Sequence, residues 1–119
     1  MQSVPPSALI TAVLGALADM DAEYAQMPFF LRPMVRRGFA KRTGADLDGW
    51  RDRLGQLARG VPTTMGTDLL ALAEHFRGAP ARAQRGMGAT AAQLVEVQAR
   101  ADRRAAAVMV LHASLLRPA

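Results

Sequence analysis

The sequence predicts an all-α fold, a compact bundle of four or five helices with a long C-terminal helix. Three observations predict it. Apolar residues recur at three- and four-residue spacing in five separate segments, and no stretch alternates cleanly at period two. Half of the residues are hydrophobic but only 5% are aromatic, so a core must come mainly from Leu, Val, Met and Ala. All of these except Val are strong helix formers. The chain of 119 residues suits a single domain, and a domain of this size hides roughly two-thirds of its unfolded surface.

The first helix is expected over residues 6–26. Pro5 and Pro6 suit a first turn, where the missing N–H costs nothing. Ile10, Val13, Leu14, Leu17, Met20 and Tyr24 share one face, with Asp19, Asp21 and Glu23 toward the other. Pro28 breaks this helix, and a short turn leads to Pro33, which opens a second helix over 33–43. Gly44 is its left-handed stop, and Met34, Val35 and Phe39 form its apolar side. Asp46 caps a third helix over 46–59, ended by Gly60, with Leu47, Trp50, Leu54 and Leu57 as its stripe.

Thr64 or Thr67 is expected to cap the fourth helix, which buries Met65, Leu69, Leu72, Ala73 and Phe76 and ends near Arg77. Residues 78–89, GAPARAQRGMGA, carry three Gly and one Pro and read as a flexible loop. Thr90 caps the last and longest helix, expected to reach Leu116. Leu94, Ala101, Ala105, Val108, His112 and Leu115 repeat along it in a pattern close to a coiled-coil seam. That seam serves either as the centre of the bundle or as a dimer interface, and Val108, His112 and Leu115 are the candidates for self-association.

Several chemistries find no support. The chain has no Cys, which excludes disulfides and thiolate ligands. His75 and His112 are the only histidines and belong to no metal-ligand spacing, so no metal or other cofactor is expected. The carboxylates fall on polar helix faces or at caps, no nucleophile elbow is present, and GMG at 86–88 is too short to cradle a phosphate. A catalytic site is therefore not expected. The start, MQSVPPSALITAVLGALADMD, lacks a basic segment ahead of its apolar run. That run, residues 8–18, is shorter than the about 20 residues a bilayer requires, so no membrane insertion is expected. A cytoplasmic location is the default.

The stretch that invites a function is MPFFLRPMVRRGFAKRTG, residues 27–44. It sets Phe29, Phe30 and Phe39 beside Arg32, Arg36, Arg37, Lys41 and Arg42. Aromatic residues, Met and Arg are what interface centres favour. Met27, Phe29, Arg32, Arg36 and Arg37 are the candidates for binding a partner protein, with Phe30 and Met34 better suited to closing the end of the bundle. The net charge of +5 also admits an acidic partner, although an Arg-for-Lys bias of this kind accompanies GC-rich coding. A nucleic-acid reading rests on Arg36, Arg37, Lys41 and Arg42. Ala40, Gly44 and Trp50 match the spacing of a helix-turn-helix, yet Asp46 and Asp48 would meet the phosphates first.

Within the same stretch, PFF-L-R-x-x-V-R-R places an aromatic pair after proline, followed by spaced arginines. Over residues 27–44 this resembles the short helical domain at the C-terminal end of protochlorophyllide-reductase-type subunits. The rest of the chain does not follow that pattern, and no function is carried across. The leading expectation is a non-catalytic interaction or regulatory module that self-associates through its last helix. The alternative is a nucleic-acid-binding regulator using residues 32–42.

Overall fold

Six α-helices follow one another among the residues that the computed structural model describes, 5–61 and 65–116 with the side chain of residue 87 excepted. They are α1 (Ser7–Ala25), α2 (Arg32–Thr43), α3 (Leu47–Ala58), α4 (Gly66–Arg77), α5 (Ala79–Met87) and α6 (Ala91–Leu116). The fold is all-α.

Local chemistry sets most of the boundaries. Gly44 stops α2 at φ 86°, and its N–H donates to the Ala40 carbonyl at 2.9 Å. Asp46 then caps α3 by accepting from the Gly49 N–H at 2.7 Å. At the start of α6, Thr90 and Gln93 cap each other: the Gln93 N–H donates to Thr90 Oγ1 and the Thr90 N–H to Gln93 Oε1. This reciprocal pair satisfies two donors that a helix start leaves open. The cap expected on α4 is different. Thr67 lies inside the helix and Met65, 1% exposed, holds the N-cap position without a side-chain bond. Thr64 lies outside the described residues.

The loop expected over 78–89 is instead mostly helical, as α5. Its Gly and Pro residues mark ends and not interior breaks. Pro80 sits in the first turn, where no N–H is needed. Ala81, Arg82, Ala83, Gln84 and Arg85 are ordinary helix residues. Gly88, at φ 58°, closes the helix in the left-handed conformation.

One continuous core joins α1, α2, α3, α4 and α6. The α4–α6 pair is the most extensive helix contact, with α1 also against α6 and α2 against α4. Leu69, Leu72, Ala73 and Phe76 of α4 meet Ala105, Val108 and Leu111 of α6 in this core, alongside Ile10, Val13 and Leu17 of α1. Ion pairs also clip helices together. Glu23 accepts both terminal nitrogens of Arg104, at 3.0 and 2.7 Å, joining α1 to α6. Asp68 of α4 accepts from Arg53 of α3 at 2.7 Å. No helix among the described residues is long and apolar enough to cross a membrane.

The corner between α2 and α3 is held by a buried polar relay. Trp50 is fully buried, and its indole Nε1–H donates to Thr43 Oγ1 at 2.9 Å. The Thr43 hydroxyl in turn shares its one proton between the carbonyls of Phe39 and Ala45, at 2.9 and 3.0 Å. Replacing Thr43 with Val keeps the shape but strands a buried indole N–H. Urea denaturation is expected to show a loss of about 1–3 kcal/mol for Thr43→Val and a smaller loss for Thr43→Ser, which keeps the acceptor.

Candidate interaction surface

The turn between α1 and α2 is built to project. After α1 ends, the N–H groups of Gln26 and Met27 bond back to the Glu23 and Tyr24 carbonyls. Pro28 prevents a further helical turn, and the Leu31 N–H closes a single turn on the Pro28 carbonyl at 2.9 Å. Arg32 Nε donates to the Met27 carbonyl at 2.9 Å, tying the two ends of the turn together. The result is a knuckle that presents Phe29 at 78% and Phe30 at 67% exposure, with rings edge to face and centroids 5.9 Å apart.

Met34, 57% exposed, continues this apolar patch onto α2. Phe30 and Met34 therefore do not close the bundle, as expected from the sequence, but stand outside it. Only Phe39 and Thr43 of α2 are buried. Met34 lies five residues before Phe39, which places it about 140° around the helix, on the opposite side. Met27 and Arg32 are half-buried behind the knuckle. Arg36 and Arg37 are exposed, Arg37 about 60° around α2 from Met34 and Arg36 on the Phe39 side, where it reaches Asp21 of α1 at 3.4 Å. Among the described residues Arg37, Lys41 and Arg42 form no ion pair.

Beside the knuckle lies a cleft of about 380 Å³ between α1, α2 and the start of α3. Met20, Tyr24, Phe39 and Leu47 supply its apolar lining. Asp21, Asp46 and Asp48 line it with carboxylates, and Arg36 and Arg51 with guanidinium groups. Arg51 stands 4.0 Å from Asp21 and 3.6 Å from Asp48. The Asp48 side chain is 92% exposed and is the least committed of these carboxylates.

Behind the cleft sits the one polar side chain of α4 that is buried, His75, at 4% exposure. Its Nε2 lies 3.4 Å from the Tyr24 hydroxyl, while Nδ1 is buried without a partner. Phe39 and Phe76 pack their rings against it at centroid distances of 5.0 and 5.8 Å. Arg82 of α5 donates to the His75 carbonyl. Burial, reinforced by the positive charges of Arg82 and Arg42, lowers the imidazole pKa from 6.5 to about 3. Burial likewise raises the Tyr24 pKa and lowers that of Arg82. His75 is thus a neutral core residue. Its position could be read from its place three residues after Leu72 on the buried face of α4.

The seam of the last helix turns inward. Val108 is fully buried in the chain's own core, and Leu115 packs partly buried against it. His112 is half-buried. Val108 therefore offers no side-chain surface to a second copy, because α1 and α4 already occupy that face of α6. The outer apolar residues of this half of α6 are Val110 at 52% and Leu116 at 71% exposure. The helix-turn-helix spacing does correspond to a glycine corner with a buried Trp50, but α3 begins with Asp46 and the exposed Asp48. That start disfavours approach to phosphates.

Two measurements check this geometry. Phe29→Ala is expected to change folding stability by no more than about 0.5 kcal/mol, whereas Phe39→Ala, in the core, costs about 3–5 kcal/mol. The second concerns His75, packed among Tyr24, Arg42 and Arg82. The unfolded chain takes up a proton near pH 6.5 that the folded chain refuses until about pH 3. Stability is therefore complete above pH 6.5 and declines as pH falls, by up to about 1.4 kcal/mol per unit. Denaturation between pH 7 and 5, above most carboxylate titration, is expected to show this slope, and His75→Gln is expected to flatten it.

Comparison with known proteins finds no matching family model, no matching curated protein and no matching solved structure.

Proposed function

We propose that this chain is a non-catalytic helical interaction module that docks onto a protein through the Phe29–Phe30–Met34 knuckle. The carrying observation is the exposure of three large apolar side chains within six residues, in a protein that buries its other phenylalanines, Phe39 and Phe76, to 2%. Contiguous apolar patches rimmed by charge mark interaction sites in soluble proteins. The rigid turn, tied by the Arg32–Met27 bond, limits the ordering cost of binding.

Burying two Phe and one Met would supply roughly 5–9 kcal/mol. Association itself costs about 4–15 kcal/mol, so the patch alone supports a modest, reversible complex. The arginine rim then supplies orientation and rate. Arg37 carries no partner among the described residues and lies on the Met34 side of α2. The matching surface is therefore an apolar pocket edged by carboxylates.

A second reading, polyanion binding through Arg36, Arg37, Lys41 and Arg42, is favoured by the lack of ion pairs at Arg37, Lys41 and Arg42 among the described residues. The Asp21 carboxylate against Arg36 and the carboxylates that open α3 weaken it.

A photo-crosslinking side chain placed at position 29 is expected to trap one protein species, while the same group at exposed Val95 traps none. The purified pair should then lose about tenfold or more in affinity with Phe29→Ala or Arg37→Glu. Binding indifferent to both substitutions overturns the docking reading. Salt-sensitive retardation of duplex DNA, abolished by Lys41→Glu and untouched by Phe29→Ala, replaces it with the second reading.

A further inference from the structure

We infer that the chain binds a phosphate group between Arg42 of α2 and Arg82 of α5, with the Tyr24 hydroxyl of α1 as a third donor. The site lies at the opposite end of α2 from the knuckle and does not depend on it. His75 gathers these groups. Its ring packs against Phe39, which shares a side of α2 with Arg42 three residues later. Its carbonyl takes a hydrogen bond from Arg82, and its Nε2 lies 3.4 Å from the Tyr24 hydroxyl. The charges of Arg42 and Arg82 act on the His75 ring and on Tyr24, and that of Arg42 also acts on Arg82. All 10 Asp and Glu side chains lie among the described residues, and none pairs with Arg42 or Arg82. Glu23, whose charge also reaches Tyr24, is taken by Arg100 and Arg104.

Two glycines seat the guanidinium groups. Gly38 lies inside α2 and Gly78 at the end of α4, and neither has a positive φ. The backbone does not require glycine at either position, and inside a helix glycine is less stable than alanine. A Cβ at Gly38 would stand 2.8 Å from Arg42 Nη1, and one at Gly78 would stand 2.6 Å from Arg82 Nη1. Each arginine therefore folds back onto a glycine four residues earlier. His75 sets the third donor. Its Nδ1 is buried without a partner, and a proton on Nε2 avoids stranding an N–H there. Nε2 then donates to the Tyr24 oxygen, which leaves the hydroxyl proton for an anion. Guanidinium forks match phosphate oxygens, and two cations match the charge of a phosphate monoester.

Amide NMR of the full chain, titrated with inorganic phosphate at an ionic strength held constant with chloride, tests it. Saturable shifts are expected around residues 38–42 and 78–82. Arg42→Gln should weaken binding by about tenfold, and Tyr24→Phe by about threefold. Gly38→Ala separates a binding site from a structural feature. It displaces the Arg42 guanidinium and so weakens phosphate binding, while the melting temperature rises because alanine favours the helix. Arg42 is exposed, and a Cβ at Gly38 meets only the end of that flexible side chain, so both variants fold. Shifts that never saturate, or that survive Arg42→Gln and Gly38→Ala, mean adventitious counter-ion binding only and overturn the inference. Flotation with vesicles containing phosphatidic acid, lost with Tyr24→Phe, supports it with a lipid headgroup as the source of the phosphate. Saturation by inorganic phosphate without flotation supports it with a soluble source.

Discussion

The relay from the Trp50 indole through the Thr43 hydroxyl to the carbonyls of Phe39 and Ala45 is the constraint on which the arrangement of the surface depends. Only Phe39 and Thr43 of α2 are buried, and both belong to this relay. An indole N–H in a dry interior must find an acceptor, and Thr43 supplies it from the last turn of α2. The left-handed Gly44 then lets the chain reverse within a few residues. With one side of α2 committed in this way, its other side is left to solvent, and Met34 and Arg37 emerge there, while Arg36 turns toward Asp21 of α1.

Anchoring α2 from its C-terminal end has a second consequence. The knuckle at its N-terminal end is not held by core packing. It is held by backbone bonds, by Pro28 and Pro33, and by Arg32 closing on Met27. Such a turn is tied by hydrogen bonds without being buried. That combination separates a docking element from a mobile loop on one hand and a core element on the other. The buried His75 makes the opposite compromise: it gives up its charge and one hydrogen bond to sit between Phe39 and Phe76. The cost is borne by the same core that positions α2, so the surface patch and the acid sensitivity share one structural origin.

Features set by a few neighbouring residues were legible in the sequence. Gly44, Asp46, Gly60 and Thr90 act as read, because caps and left-handed stops depend on local backbone chemistry. α5 was not read, since Gly78, Pro80 and Gly88 look like breakers until it is seen that each lies at or near an end. Of the partner-binding candidates, Phe29, Arg36 and Arg37 lie outside, with Met27 and Arg32 half-buried behind them. Met34 reads as inward because α2 carries apolar residues on two sides and spacing alone does not choose between them, and Phe30 lies in the turn before it, where no periodicity assigns a side. His75 could be placed only by its spacing from Leu72, and the cleft left no motif, because its lining comes together through the packing of three consecutive helices and not through any spacing within one of them.

By itself the sequence determined that the chain folds as helices, where most of them begin and end, and that arginine gathers beside an aromatic pair. Those properties arise from neighbours along the chain. Only the tertiary structure decided what each apolar face meets. The seam of α6 is satisfied by α1 and α4 of its own chain, and the Phe29–Phe30 pair is left without cover. Hydrophobic burial is non-directional: a periodic stripe demands a partner, but its identity depends on which surfaces the fold brings within reach.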